Sequence, residues 1–240
     1  MKISSISKRI SRLWLSLWYR PIRVFCFHQV SDVFEPDTMW ECDWTPTETF
    51  KKNILSLKKK YTFISLADAY EHIKRDRIRK LDYAVLTADD GWASLKNILP
   101  WLAEQKIPVA LFLNPLYFDG FHYQLRETER LLSKEEIQEI ANTYSPFVSI
   151  ASHGWKHENC EELPIGEFEE KVALAEMALE GLDGKIPFYA FAFGFYYEEE
   201  LESLRRMGLT PVLMDGEMNY SDGSSIHREP LDGVGIILNC

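Results

Sequence analysis

The chain has 240 residues, with 27 basic and 37 acidic side chains and a formal charge of −10. Hydrophobic residues make up 46% and charged residues 27%, ordinary globular values that exclude a disordered chain, a collagen and a coiled coil. No stretch approaches the roughly 18 apolar residues that span a bilayer, the length fits one domain or at most two, and an acidic body argues against binding phosphate backbones, so no nucleic-acid partner is expected.

Residues 1–31 carry Lys2, Lys8, Arg9, Arg12, Arg20 and Arg23 and no acid, which leaves 21 basic and 37 acidic groups in the rest. Within this stretch, 8–20 (KRISRLWLSLWYR) is basic and amphipathic: on a helical projection Ile10, Leu13, Trp14, Leu17 and Trp18 gather on one side. Its apolar run, 13–19, is short, contains Ser16 and ends at Arg20-Pro21 without a small-residue cleavage site, which argues against a secretory signal. Two readings stand: a helix packed on the body of the protein, and a helix in peripheral contact with an anionic membrane surface. Residues 1–22 are therefore set apart from a single domain over 23–240.

The domain alternates short apolar runs with amphipathic ones. Residues 23–28 (RVFCFH) read as a strand. A helix follows over 47–60, with Thr45 as N-cap, Pro46 at its first position and Phe50, Ile54 and Leu57 on one face. Next come a strand over 61–64, a helix over 66–73, a strand over 83–87, a helix over 93–105 and a strand over 109–113. Further strands fall at 147–151, 188–193, 210–214 and 234–238, with helices at 165–182 and 198–207, the latter ended by Gly208. Strands such as YAVLT and VALFL are apolar on both faces, as in a parallel sheet covered by helices. Seven or eight such strands with right-handed crossovers suffice to close an α/β barrel, here expected as an irregular (β/α)7-8 barrel, with chemistry expected where strands stop.

Two motifs lie at such ends. Thr87-Ala88-Asp89-Asp90-Gly91 follows the strand over 83–87. If the chain turns at Gly91, both carboxylates can reach one pocket; the same residues also suit an Asx-type turn capping the next helix. His153-Gly154-Trp155-Lys156-His157 follows the strand over 147–151, and imidazoles at i and i+4 on a helical turn can grip one metal ion. An Asp with two His leaves coordination positions open, which marks a catalytic site. The four cysteines, Cys26, Cys42, Cys160 and Cys240, form no CxxC pair and read as reduced thiols. With no signal sequence, the expected location is cytoplasmic, including the inner membrane surface.

Taken in order, FHQV, TADDG, HGWKH and FAFG resemble the motifs of the polysaccharide deacetylase family (carbohydrate esterase family 4), especially its poly-N-acetylglucosamine deacetylase branch, and WTPTETFKKNILSLKKKYTFISLADA resembles that branch's lead-in to the first motif. The likeness covers about residues 23–238. It implies a barrel of that type and removal of N-acetyl groups from amino sugars of a polysaccharide or lipid-linked saccharide. In the implied roles, Asp90, His153 and His157 bind a divalent metal, Zn²⁺ foremost and otherwise Co²⁺ or Ni²⁺. Asp89 is the general base, His28 protonates the departing amine (His227 is the weaker alternative), and the Phe193 backbone N–H faces the oxyanion. The sequence departs from the pattern at Ala88 (usually Phe), Gly154 (usually Ser or Thr) and Ala192 (usually Pro). It lacks the late Leu-x-His, and no Arg stands in 188–194 to orient the base; Arg228 is the substitute from the chain's end.

Trp92 and Trp155 adjoin the motifs and are the first choices for stacking on sugar rings; Trp40, Trp44, Tyr117, Phe118 and Tyr196 read more simply as packed. The altered late segment keeps a second class open, a catalytically silent carbohydrate-binding relative. A 2-His-1-carboxylate iron oxygenase is a third, against which the adjacent second Asp and the βα alternation speak.

Overall fold

The computed structural model describes residues 20–32, 44–75, 81–118, 130–217, 219 and 224–231. The expectations for 8–19, for Trp40, Cys42 and Cys240, and for a strand over 234–238 lie outside these residues.

Among the described residues the elements are β1 (Arg23–Phe27), β2 (Gln29–Val30), β3 (Trp44–Thr45), α1 (Thr47–Lys58), β4 (Thr62–Phe63), α2 (Leu66–Arg75), β5 (Tyr83–Ala88), α3 (Leu95–Glu104), β6 (Val109–Leu113), α4 (Lys134–Tyr144), β7 (Val148–Ser152), α5 (Ile165–Leu179), β8 (Lys185–Ala190), α6 (Glu198–Arg206), β9 (Thr210–Leu213), β10 (Ile226–His227) and β11 (Glu229–Pro230). The main sheet runs β10-β9-β8-β7-β6-β5-β1-β11, and every pairing in it is parallel. Its two ends, β10 and β11, are separated in the chain only by Arg228. One five-residue stretch thus pairs first with β9 and then with β1, and the sheet comes round to a nearly closed α/β barrel of the expected kind. β4 adds two residues to β5, at Thr62↔Tyr83 and Phe63↔Ala84.

Alternation along the strands divides the core in two. One set, Phe25, Phe27, Leu86, Ala88, Leu111, Leu113, Val148 and Ile150, packs outward under α1, α3 and α4. The other, Val24, Val85, Ala110, Phe112, Ala151, Phe188, Ala190, Val212 and Ile226, fills the barrel together with Leu66, Ala69 and Ile73 of α2. Full burial of a large apolar side chain stabilises the fold by about 1.5–3 kcal/mol, so the strands are held from both faces. On the far side, Tyr189, Phe191 and Leu213 pack with Phe168 and Val172 of α5 and Leu201 and Leu204 of α6.

Several sequence expectations change in detail. Thr45 does not cap α1: it lies in β3, paired with Val30 of β2, and the N-cap is Pro46 without a side-chain cap bond. α4 was not anticipated; it starts at a capping box of Ser133 and Glu136 and buries Ile137, Ile140 and Ala141. β8 starts earlier and stops earlier than expected, and its register against β7 shifts between Ile150 and Ser152. Past it, Ala192–Gly194 form a short 3₁₀ turn rather than strand.

Candidate active site

The C-terminal ends of β1, β5, β7 and β8, with the β10–β11 closure, supply the functional side chains. Inward positions alternate up β5 as Val85, Thr87 and Asp89, so the first acid points into the barrel as the strand ends. The chain then turns sharply: Asp90 has φ 67° and Gly91 φ 77°. This turn brings a second carboxylate to the side of the first. Both conformations are left-handed, and a non-glycine residue held there is a strained position of the kind that gathers at functional sites. Phe193, at φ 58°, is another.

Asp89 is buried and clamped. Arg228, 1% exposed, donates from Nη1 to Oδ1 at 2.7 Å and from Nη2 to Oδ2 at 2.8 Å. Nη1 also reaches Thr87 Oγ1 at 3.2 Å and Cys26 Sγ at 3.4 Å, and the guanidinium lies 5.1 Å from the Phe112 ring centroid. Burial pushes the Asp89 carboxyl up, but Arg228 and His153 outweigh it and hold the group well below the usual carboxylate range. Asp89 is therefore an ionised acceptor with fixed orientation. Arg228, and no residue of 188–194, is thus the arginine that holds both oxygens of Asp89. Burial and Asp89 together also raise the Cys26 thiol despite Arg228.

Beside it, Asp90 Oδ1 lies 3.5 Å from His153 Nε2 and 3.5 Å from His157 Nε2. That oxygen is buried and has no hydrogen-bond partner. The three ligand atoms fall within 4.8 Å of one another. His153 is oriented from behind: its Nδ1 is 2.9 Å from the Ala190 carbonyl, which fixes the proton there and turns the Nε2 lone pair towards Asp90. Asn114, at the end of β6, donates to the His153 carbonyl at 2.6 Å and braces the same loop. Burial, the largest cause, lowers the His157 imidazole to about 4 against the pull of Asp90, so it is neutral and able to ligate at neutral pH. A lone carboxylate oxygen between two imidazole nitrogens is a donor set that suits Zn²⁺ and related first-row ions.

His153 and His157 are not on a helical turn. Residues 153–159 form an irregular loop, and Gly154, at φ 86°, makes the reversal that lets the rings sit 5.4 Å apart. A Cβ at Gly154 would stand 3.0 Å from the Tyr189 hydroxyl, which accounts for glycine where the family carries Ser or Thr. His28, half-buried after β1, places a ring nitrogen within 4.8 Å of an Asp89 oxygen and of Cys26 Sγ. Both Asp89 oxygens accept hydrogen bonds from Arg228, which speaks against this trio as a second cation site. His227 instead pairs with Asp215, Nδ1 to Oδ2 at 2.8 Å.

Phe193 lies at the rim, 51% exposed, with its ring 4.3 Å from that of His157. The expectation that Trp92 stacks on a sugar is corrected: it is 5% exposed, so its faces are covered, and its indole donates to Asp90 Oδ2 at 3.2 Å. Trp155 is half-buried and remains available as a stacking surface. Tyr117 and Phe118 are packed, as expected. Thr87, Cys26 and Asn114 were not singled out from sequence, although each sits at an inward position near a strand end, which is the signal that could have found them.

A family model described as polysaccharide deacetylase matches residues 77–212, more than half of the chain. No curated protein matches the sequence. Among solved structures, IcaB from Ammonifex degensii is 21% identical with a TM-score of 0.73, covering 89% of this chain and 92% of its own. The Streptococcus pyogenes deacetylase PplD, solved in complex with acetate, is 15% identical with a TM-score of 0.73, covering 88% and 92%. A de-N-acetylase from Aggregatibacter actinomycetemcomitans is 14% identical with a TM-score of 0.71, covering 87% and 94%. At these identities the likeness to solved structures is one of fold.

Proposed function

The chain belongs to the polysaccharide deacetylase family, and from that premise we propose that it is a metal-dependent hydrolase that removes N-acetyl groups from amino sugars of a glycan, either a polysaccharide or a lipid-linked saccharide. The observation that carries this reading is the partnerless Asp90 Oδ1 between His153 Nε2 and His157 Nε2, with an ionised Asp89 alongside. A divalent ion held by Asp90, His153 and His157, most simply Zn²⁺, would activate water and polarise the acetyl carbonyl.

The chain's own residues supply the rest. Asp89 accepts the proton of the attacking water, and Arg228 keeps it ionised and aimed by holding both its oxygens. The tetrahedral oxyanion is met by the Phe193 backbone N–H, whose direction is set by the left-handed conformation at that residue. His28, on the Asp89 side of the pocket, delivers a proton to the amine as the C–N bond breaks. Water is kept from the inner side of Asp89, because Cys26, Thr87 and Phe112 fill the barrel beneath it. Trp155 offers an aromatic surface to the glycan. The combination of an Arg228-held Asp89 with the Asp90, His153 and His157 cluster beside it favours the hydrolase over the silent-binder reading.

The test is acetate release from N-acetylglucosamine oligomers. The Zn²⁺-loaded protein is expected to release acetate, a chelator to stop it, and Asp89→Asn to slow it by about 10²–10⁴-fold. No acetate from oligomers, nucleotide sugars or lipid-linked sugars overturns the proposal.

A further inference from the structure

Asp90 meets its surroundings through two oxygens in different ways. Oδ1 faces the two imidazoles and has no hydrogen-bond partner. Oδ2 accepts a 3.2 Å hydrogen bond from the Trp92 indole Nε1–H. A carboxylate with both oxygens free can close on a cation through two donors and take two coordination positions; one whose second oxygen is held offers a single donor. The indole N–H is a donor only, so Trp92 can hold the carboxylate but cannot ligate in its place.

Trp92 is also unable to move aside. It is 5% exposed within the outer core layer. Its backbone forms an antiparallel bridge with Leu131. On either side, Ala93 N–H donates to the Arg130 carbonyl and Leu132 N–H to the Gly91 carbonyl, both at 2.8 Å. The indole is thus fixed to the same turn, Asp90-Gly91, whose left-handed backbone aims the carboxylate. His153 is aimed from behind in a comparable way by the Ala190 carbonyl.

We propose that Trp92 is a positioning residue that makes Asp90 a one-oxygen ligand through Oδ1, so that the bound ion keeps a position open for water and substrate. The proposal rests on the metal-dependent reading above. It assigns to a buried tryptophan a role unrelated to sugar stacking.

The experiment uses the full chain with Co²⁺ as the probe. The d–d absorption of Co²⁺ loses intensity as oxygen donors are added and coordination rises. Two variants remove the indole donor: Trp92→Phe, and site-specific replacement of Trp92 by β-(3-benzothienyl)alanine, which keeps the ring shape and serves if Trp92→Phe fails to fold. Both are expected to show weaker Co²⁺ bands than the parent, because the released Oδ2 joins the coordination sphere. Bands as strong as the parent's or stronger, in a parent that binds Co²⁺, overturn this inference alone. A parent that binds neither Co²⁺ nor Zn²⁺ overturns the metal-dependent reading, and this inference with it.

Discussion

Replacing Arg228 by Met isolates the energetics of the buried pair. The substitution keeps much of the aliphatic stem of a residue that is 1% exposed but removes the guanidinium that lies over Phe112 and is bonded to both oxygens of Asp89. Asp89, itself 2% exposed, is then a buried charge without compensation. Breaking one side of such a pair costs about 3–5 kcal/mol. The loss depends on pH, and its sign follows from the direction of the shift. In the parent the Asp89 carboxyl is held well below its ordinary value, so its contribution is fully present above the unfolded-state value of about 4 and fades only as pH falls below it. In the variant only burial and weaker charges remain, and burial pushes the carboxyl up. The variant therefore takes up a proton on mild acidification, regains stability, and narrows its gap to the parent. Urea unfolding of both proteins, without metal, near pH 7.5 and near pH 5 measures this. The expected gap is about 3–5 kcal/mol at the higher pH and clearly smaller at the lower. Adding Asp89→Asn to Arg228→Met is expected to recover part of the loss. A gap below about 1 kcal/mol, the range of exposed pairs, or an equal gap at both pH values, refutes the reasoning.

Gly91→Ala would place a Cβ 2.6 Å from Leu113 Cδ2, on a backbone at φ 77° and against a side chain buried in the outer core layer. Left-handed strain and overpacking together predict a loss of about 2 kcal/mol or more, read from thermal unfolding; a change within about 0.5 kcal/mol would contradict the geometry. In the metal-free protein, the His157 ring proton followed by NMR should titrate near 4, because burial disfavours the imidazolium. Since the folded value lies below the unfolded value of about 6.5, this histidine withdraws stability as pH falls from about 6.5 towards 4. His157→Gln should lessen that decline, and a midpoint near 6.5 would show the ring to be solvated.

The strands β5, β6 and β7 were legible because each is a short apolar run closed by polar residues, and the two motifs were legible because they stand where those runs stop. Within the motifs, the pairing of Asp89 with Asp90 depended on a turn that Gly91 announces. The convergence of His153 and His157 has a different local cause from the one their spacing suggests: an irregular loop with a left-handed Gly154 brings the rings together, not a helical turn. α4 carried a readable signal in Ser133 and Glu136 with Ile137, Ile140 and Ala141, and it was passed over. The closing strands were not readable. β10 and β11 hold two residues each, too short for any period to show. The role of Trp92 was hidden for another reason: sequence places the indole near the site, but only coordinates tell a covered ring from an open one.

Arg228 sits at the seam where the chain passes from pairing with β9 to pairing with β1. Its inward direction is a matter of parity: adding or deleting one residue between Ile226 and Pro230 would rotate the guanidinium to the outer face and leave Asp89 unheld. Relatives of this chain that keep their arginine here should therefore vary in residue type along this stretch but not in its length.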